Sequence, residues 1–149
     1  MNAQWKSIAI RDKVEGERMI PLTPYVARLL ATLPRRNAWV FSSATSASGQ
    51  LSKPNTPHAR ACTAAGLEDL TLHSLRRSFS TLTEWLEIPA GPVAQIMGHK
   101  PSATAERHYK VRPLVSLRVH HELIEAWMLE QAGIDFQAAQ ALPTLRRVQ

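Results

Sequence analysis

Thr71-Leu-His-Ser-Leu-Arg-Arg-Ser-Phe79 carries a helix start, an apolar stripe and two polar side chains within nine residues. Leu75, Phe79, Leu82 and Leu86 recur at i, i+4, i+7 and i+11, the spacing of one buried helix face. Thr71 stands where an N-cap hydroxyl is needed. Successive helical side chains advance by about 100°, so His73 and Arg76 lie roughly 60° apart and face away from the stripe. They can present donors jointly to one phosphate oxygen, or they can belong to a solvated basic face. His73 can also serve the helix cap.

The segments on either side complete a mainly α chain with a small sheet near its N-terminus. Ser7 to Ile10 and Arg18 to Leu22 are short apolar runs around a polar turn from Asp12 to Gly16, which predicts a β-hairpin over about 5–22. Thr23-Pro24 is expected to start a helix with Val26, Leu29, Leu30 and Leu33 inward, and Pro34 to stop it. Trp39-Val-Phe41 reads as extended. Residues 42–54 are rich in Ser, Thr, Ala and Gly and read as a loop, followed by a helix over 56–65 that Gly66 ends.

Downstream of the central helix, 89–98 predicts a short helix closed by Gly98. Another starts at Pro101 and would carry Tyr109. A final amphipathic helix over 113–131 places Leu114, Leu117, Ile124, Trp127 and Met128 on one side. Residues 1–132 are read as one domain and 133–149 as a flexible tail.

Composition narrows the functional classes. The net charge is +6, from 13 Arg and 5 Lys against 12 acidic residues. An arginine-rich excess suits phosphate, because a guanidinium can hold two phosphate oxygens at once. Lys100, Arg107, Lys110, Arg112 and Arg118 gather around Tyr109 in sequence. No apolar run approaches the roughly 20 residues of a membrane span, and no secretory signal opens the chain. A single cysteine, Cys62, precludes an internal disulfide and fits a reducing cytoplasm. Glu68 and Asp69 are neighbours suited to loop solvation, and no acidic cluster of metal-binding type is present, so no metal or cofactor is expected.

The remaining candidates each have a plain reading. His99 follows the helix terminator Gly98 and so projects from a fixed turn, as a capping or surface residue also would. Tyr109 stands in a basic, polar stretch, where an isolated tyrosine ordinarily packs its ring and hydrogen-bonds its hydroxyl. Their joint order is more specific. His-x-x-Arg on a helix, Gly-His after a second helix, then Tyr ten residues on resembles the tyrosine recombinase family, with phage-type integrases the most similar group. Lys13-Val-Glu-Gly-Glu-Arg-Met-Ile-Pro-Leu-Thr23 is similar to that family's β-hairpin lysine region. The resemblance covers about residues 5–115.

It implies an incomplete tyrosine recombinase catalytic-domain fold and assigns a role to each position. Tyr109 would attack a DNA phosphodiester. Arg76 would hold the non-bridging oxygens, with His73 and His99 adding hydrogen bonds and moving protons. Lys13 would protonate the departing 5′-oxygen, with Lys6 a weaker candidate. Arg77, Lys100, Arg107, Lys110 and Arg112 would contact DNA. Double-stranded DNA is the implied partner, with exchange of the C-terminal helix between protomers the alternative to its packing at home.

The family also carries an arginine upstream of the hairpin, within a Gly-Leu-Arg-like segment, and only four residues precede Trp5. The expectation is little or no recombinase activity from this polypeptide alone. A catalytically silent DNA-binding or interaction module of the same fold is the second reading. The third is an unrelated basic helical domain, in which His73, Arg76, His99 and Tyr109 would lie scattered.

Overall fold

The computed structural model describes residues 7–12, 16–99 and 112–138. The expected turn around Lys13, and the helix expected from Pro101 through Tyr109, lie outside the described residues. The N-terminal strands are β1 (Ser7–Asp12) and β2 (Gly16–Pro21). They pair antiparallel with Ser7 opposite Pro21 and Asp12 opposite Gly16. Alternation puts Ile8, Ile10, Arg18 and Ile20 on one face, because Ile8 opposes Ile20 and Ile10 opposes Arg18. These four are partly buried, whereas Ala9 and Met19 point to solvent.

Among the described residues five helices follow: α1 (Pro24–Thr32), α2 (Asn55–Ala64), α3 (Leu72–Glu84), α4 (Ala90–Met97) and α5 (Leu114–Gln131). Thr71 caps α3 as its sequence predicts. Its hydroxyl accepts from the Ser74 N–H at 3.0 Å, and Ser74 Oγ accepts from the Thr71 N–H at 2.7 Å, a reciprocal capping box. Thr23 occupies the N-cap position of α1, but its hydroxyl makes no capping bond. Glu125 of α5 does that work instead. Its two carboxylate oxygens accept from Tyr25 N–H at 3.0 Å and Val26 N–H at 3.2 Å. A carboxylate is suited to a helix N-terminus by its unmet N–H groups and positive dipole end.

The central core is Ile88, Val93, Met97 and Ile124, with Phe79, Leu86 and Met128 packed against it. Leu117 and Ile124 of α5 are each 1% exposed and buried within their own chain, while Leu114, Trp127 and Met128 of the same stripe are half-buried. Two α5 side chains also grip the end of the hairpin. Arg118 donates to Leu22 O at 3.4 Å, and His121 Nδ1 lies 3.1 Å from Pro21 O. His121 stands edge-on to Phe79 of α3, and burial lowers its pKa below the usual imidazole value.

The stripe on α3 is covered only in part. Phe79 and Leu86 reach the core, while Leu75 is 44% exposed. Helix α1 buries none of its residues fully, and Val26 and Leu29 face outward despite their helical spacing. Past α5, Phe136 packs edge-on against Tyr25 and under the Arg28 guanidinium. Among the described residues no helix is long and apolar enough to cross a membrane.

Candidate active site at the C-terminal end of α4

A helix C-terminus leaves its last carbonyls without intrahelical partners, and at α4 those carbonyls organise the site. Gly98 adopts the left-handed conformation, φ 68° and ψ 34°. This lets the His99 N–H reach Ala94 O at 2.8 Å and the Gly98 N–H reach Gln95 O at 3.1 Å, the paired bonds of a Schellman cap. Arg18, from the inner face of β2, meets the rest. Its guanidinium donates to Gln95 O at 3.3 Å, Ile96 O at 3.2 Å and Met97 O at 3.4 Å. Arg76 of α3 donates to the same Met97 carbonyl.

Two guanidiniums thus share one helix end. The negative end of the α4 dipole and its oriented carbonyls offset their mutual repulsion. Gly98 is required twice over. Its backbone angle favours glycine, and a Cβ there would run into the Arg18 guanidinium.

Of the residues expected to act, Arg76 and His99 are brought to one place. Arg76 is tied to Met97, two residues before His99, although 21 residues separate Arg76 from Met97. Its one bond to Met97 uses a single N–H of five, and the residue is otherwise exposed. His99 is exposed beyond Gly98, with its backbone locked by the cap. His73 is exposed at the second position of α3, one turn before Arg76, and Arg77 is exposed beside it. Tyr109, Lys13, Lys6, Lys100, Arg107 and Lys110 lie outside the described residues.

Arg112 is partly buried, and its backbone is held by Gln95: the Arg112 N–H donates to Gln95 Oε1 at 3.0 Å and Gln95 Nε2 donates to Arg112 O at 3.1 Å. Arg18 and Gln95 were not among the sequence candidates. For Arg18 a signal existed, because it shares the inward register of Ile8 and Ile20. Gln95 sits in an apolar helix with nothing local to mark it. Among the described residues, no group of three or more His, Cys, Asp or Glu is placed to hold a metal.

Two cations are thus fixed on this helix end, both at the Met97 carbonyl, two residues in sequence from the backbone of His99. Known proteins resemble this chain over most of its length. The phage integrase family model matches residues 1–113. Prophage integrase IntF of Escherichia coli (strain K12) is 54% identical over 138 residues, which make up 88% of this chain and 29% of that protein. The chain therefore spans less than a third of the length of that relative. No solved structure gives a significant match. By its sequence over three-quarters of its length, this chain belongs to the phage integrase family.

Proposed function

We propose that this chain supplies the strand-cleaving part of a site-specific DNA recombinase, acting through a 3′-phosphotyrosyl intermediate. The observation that supports the reading is the hydrogen bond from Arg76 to Met97 O, two residues before His99, whose backbone the Gly98 turn holds. The family relationship supports DNA as the substrate.

The Tyr109 hydroxyl oxygen attacks the phosphorus of a DNA phosphodiester. The P–O5′ bond breaks, leaving the 3′-phosphate esterified to tyrosine and the 5′-oxygen as a hydroxyl. A tyrosine hydroxyl has an unperturbed pKa near ~10, so its proton must be accepted during attack. His73 and His99 serve that transfer, and Lys13 gives a proton to the departing 5′-oxygen. Negative charge grows on the non-bridging oxygens as phosphorus becomes five-coordinate. Arg76 and the imidazoles stabilise it from positions fixed before reaction. Attack by a second 5′-hydroxyl on the phosphotyrosine reverses the chemistry and joins new strands. The ester conserves the phosphodiester linkage, so rejoining draws on no nucleotide triphosphate.

The test is covalent capture. The chain is incubated with a pool of nicked suicide duplexes of random flanking sequence, then separated under denaturing conditions. At most a slow, low-yield protein–DNA adduct is expected from the wild type, in keeping with the little activity expected of this polypeptide alone, and none from Tyr109→Phe. Removing the Arg76 guanidinium slows adduct formation by about 10²–10³-fold. A wild type that binds duplex DNA as Tyr109→Phe does, yet forms no adduct, supports the silent DNA-binding module in place of the enzyme.

A further inference from the structure

We propose that the loop between α1 and α2, residues 33–54, is a platform on which unpaired DNA bases stack. Trp39 and Phe41 supply the rings, and Arg36 and Lys53 meet the phosphates. That the ligand is DNA rests on the function proposed above; the loop adds that its bases are unpaired.

The first observation is charge. From Arg18 to Leu67 the sequence holds six Arg or Lys and no Asp or Glu, while the other 12 cations are matched by 12 acids. The whole net charge of +6 therefore lies in one stretch of 50 residues. A surface of a single sign draws in a polyanion, and without acids nothing in it repels phosphate. Arg18 of this stretch is engaged on α4, and Arg28 lies over Phe136. Arg36 enters the loop and Lys53 leaves it, both exposed.

The second observation is the pair of rings. Trp39 is 45% and Phe41 59% exposed, on a loop that holds its own shape. Asn37 Nδ2 donates to Gly49 O at 2.9 Å, and the Trp39 N–H donates to Asn37 Oδ1 at 2.9 Å. Across the loop, the Ser43 N–H donates to Gly49 O at 2.9 Å and the Leu51 N–H to Phe41 O at 3.0 Å. Trp39 Nε1 donates to Ser48 O at 3.1 Å, so the single donor of the indole is used inside the loop. What the ring offers outward is its apolar face.

Every base has a π-face, so stacking on such rings is indifferent to sequence. Within a duplex those faces are covered by neighbouring pairs, and only an unpaired base can meet an aromatic side chain. The cations stand close in the chain to both rings. Arg36 is three residues before Trp39, and Lys53 is two residues past Leu51, whose N–H is held on Phe41 O. Two residues of extended chain span at most about 7 Å. A loop fixed before its ligand arrives also loses little further entropy on binding.

The test compares a labelled oligothymidylate with a blunt duplex of equal length, by fluorescence anisotropy on the full chain. Phe41→Ser should weaken oligothymidylate binding by about tenfold or more and leave the duplex within about twofold. Trp39→Phe keeps a ring and should retain most of the oligothymidylate affinity, whereas Trp39→Leu should lose it. Arg36→Gln combined with Lys53→Gln should weaken both ligands and flatten the salt dependence of each. Equal losses of Phe41→Ser on both ligands, or a loss on neither, overturn the inference. A Phe41-dependent increase of mass in light scattering, with no effect on DNA, overturns it too, because the face then joins two copies. Should Phe41→Ser fail to fold, Trp39→Leu against Trp39→Phe decides by the same comparison. Absence of any adduct from a wild type whose oligothymidylate binding needs Phe41 refutes strand cleavage and leaves the platform standing.

Discussion

Replacing Gly98 by alanine separates the two reasons for glycine at the end of α4. The first is backbone strain. Gly98 has φ 68°, and an L-residue held in that region costs about 1–2 kcal/mol. The second is the close approach of Arg18. A Cβ at residue 98 would displace its guanidinium from Gln95 O, Ile96 O and Met97 O. Those contacts are 3.2–3.4 Å long and share two nitrogens, so they are best counted as one charge-assisted interaction. Its loss costs about 1.5–3 kcal/mol. Gly98→Ala should thus destabilise by about 2.5–5 kcal/mol, a fall in Tm of roughly 5–20 °C for a chain of this size.

Gly133 supplies the control. It has φ 63°, and nothing lies within 4 Å of an added Cβ, so Gly133→Ala isolates the strain. It should cost only about 1–2 kcal/mol. Thermal unfolding followed by circular dichroism gives both values. An Arg18→Ala background should reduce the Gly98→Ala loss to that of Gly133→Ala, a coupling of about 1.5–3 kcal/mol. Equal melting of the two glycine variants, or strict additivity of Gly98→Ala with Arg18→Ala, would refute the reasoning.

Three further outcomes are expected. Glu125→Ala removes the acceptor for two N–H groups of α1 and should lower stability by about 1–2 kcal/mol; an unchanged Tm would mean that water caps α1 equally well. Glu87, with φ 52°, stands where α3 closes through Ile88 N–H to Thr83 O; Glu87→Gly should raise stability by about 0.5–1 kcal/mol, and a lower Tm would contradict it. The pKa of His121 is lowered by burial, against opposing contributions from Pro21 O, Glu125 and Glu122. Its unfolded form therefore takes up a proton first as pH falls below about 6.5, and stability should drop with pH until the folded imidazole also titrates. His121→Gln should flatten that part of the stability–pH curve relative to wild type, and identical slopes would remove His121 from the account.

Local patterns in the sequence identified the elements better than they identified the joints. Thr71 and Gly98 mark helix ends through groups only a few residues away, so the cap of α3 and the stop of α4 were legible. Leu117 and Ile124 are seven apart and fall on one buried face of α5, as helical periodicity requires. Periodicity was a poorer guide where the stripe stays exposed. Leu75 and Leu29 have the spacing of core residues and remain 44% and 47% exposed. Thr23 has the right residue type at an N-cap, yet the capping oxygens come from Glu125, about 100 residues on. A preference read from neighbours in sequence cannot weigh a donor or acceptor that arrives from another element.

The site shows the same division, with one sign that was available. His73 and Arg76 share a helix and were recognisable by spacing, whereas Arg18 reaches α4 across 77 to 79 residues. Helix α4, Ala-Gly-Pro-Val-Ala-Gln-Ile-Met, has no basic residue in its last turn, and Pro92, Val93, Ile96 and Met97 are buried. A helix end in such surroundings has few waters to meet its carbonyls, and unmet buried acceptors are costly. A helix end buried in this way needs donors from outside the helix. Arg18, in register with Ile8 and Ile20 on the inner face of the hairpin, was placed to be one. Meeting that structural demand with guanidinium groups fixes positive charge beside His99. The cap of α4 and the proposed phosphate site are in this way one construction, and Arg76 belongs to both.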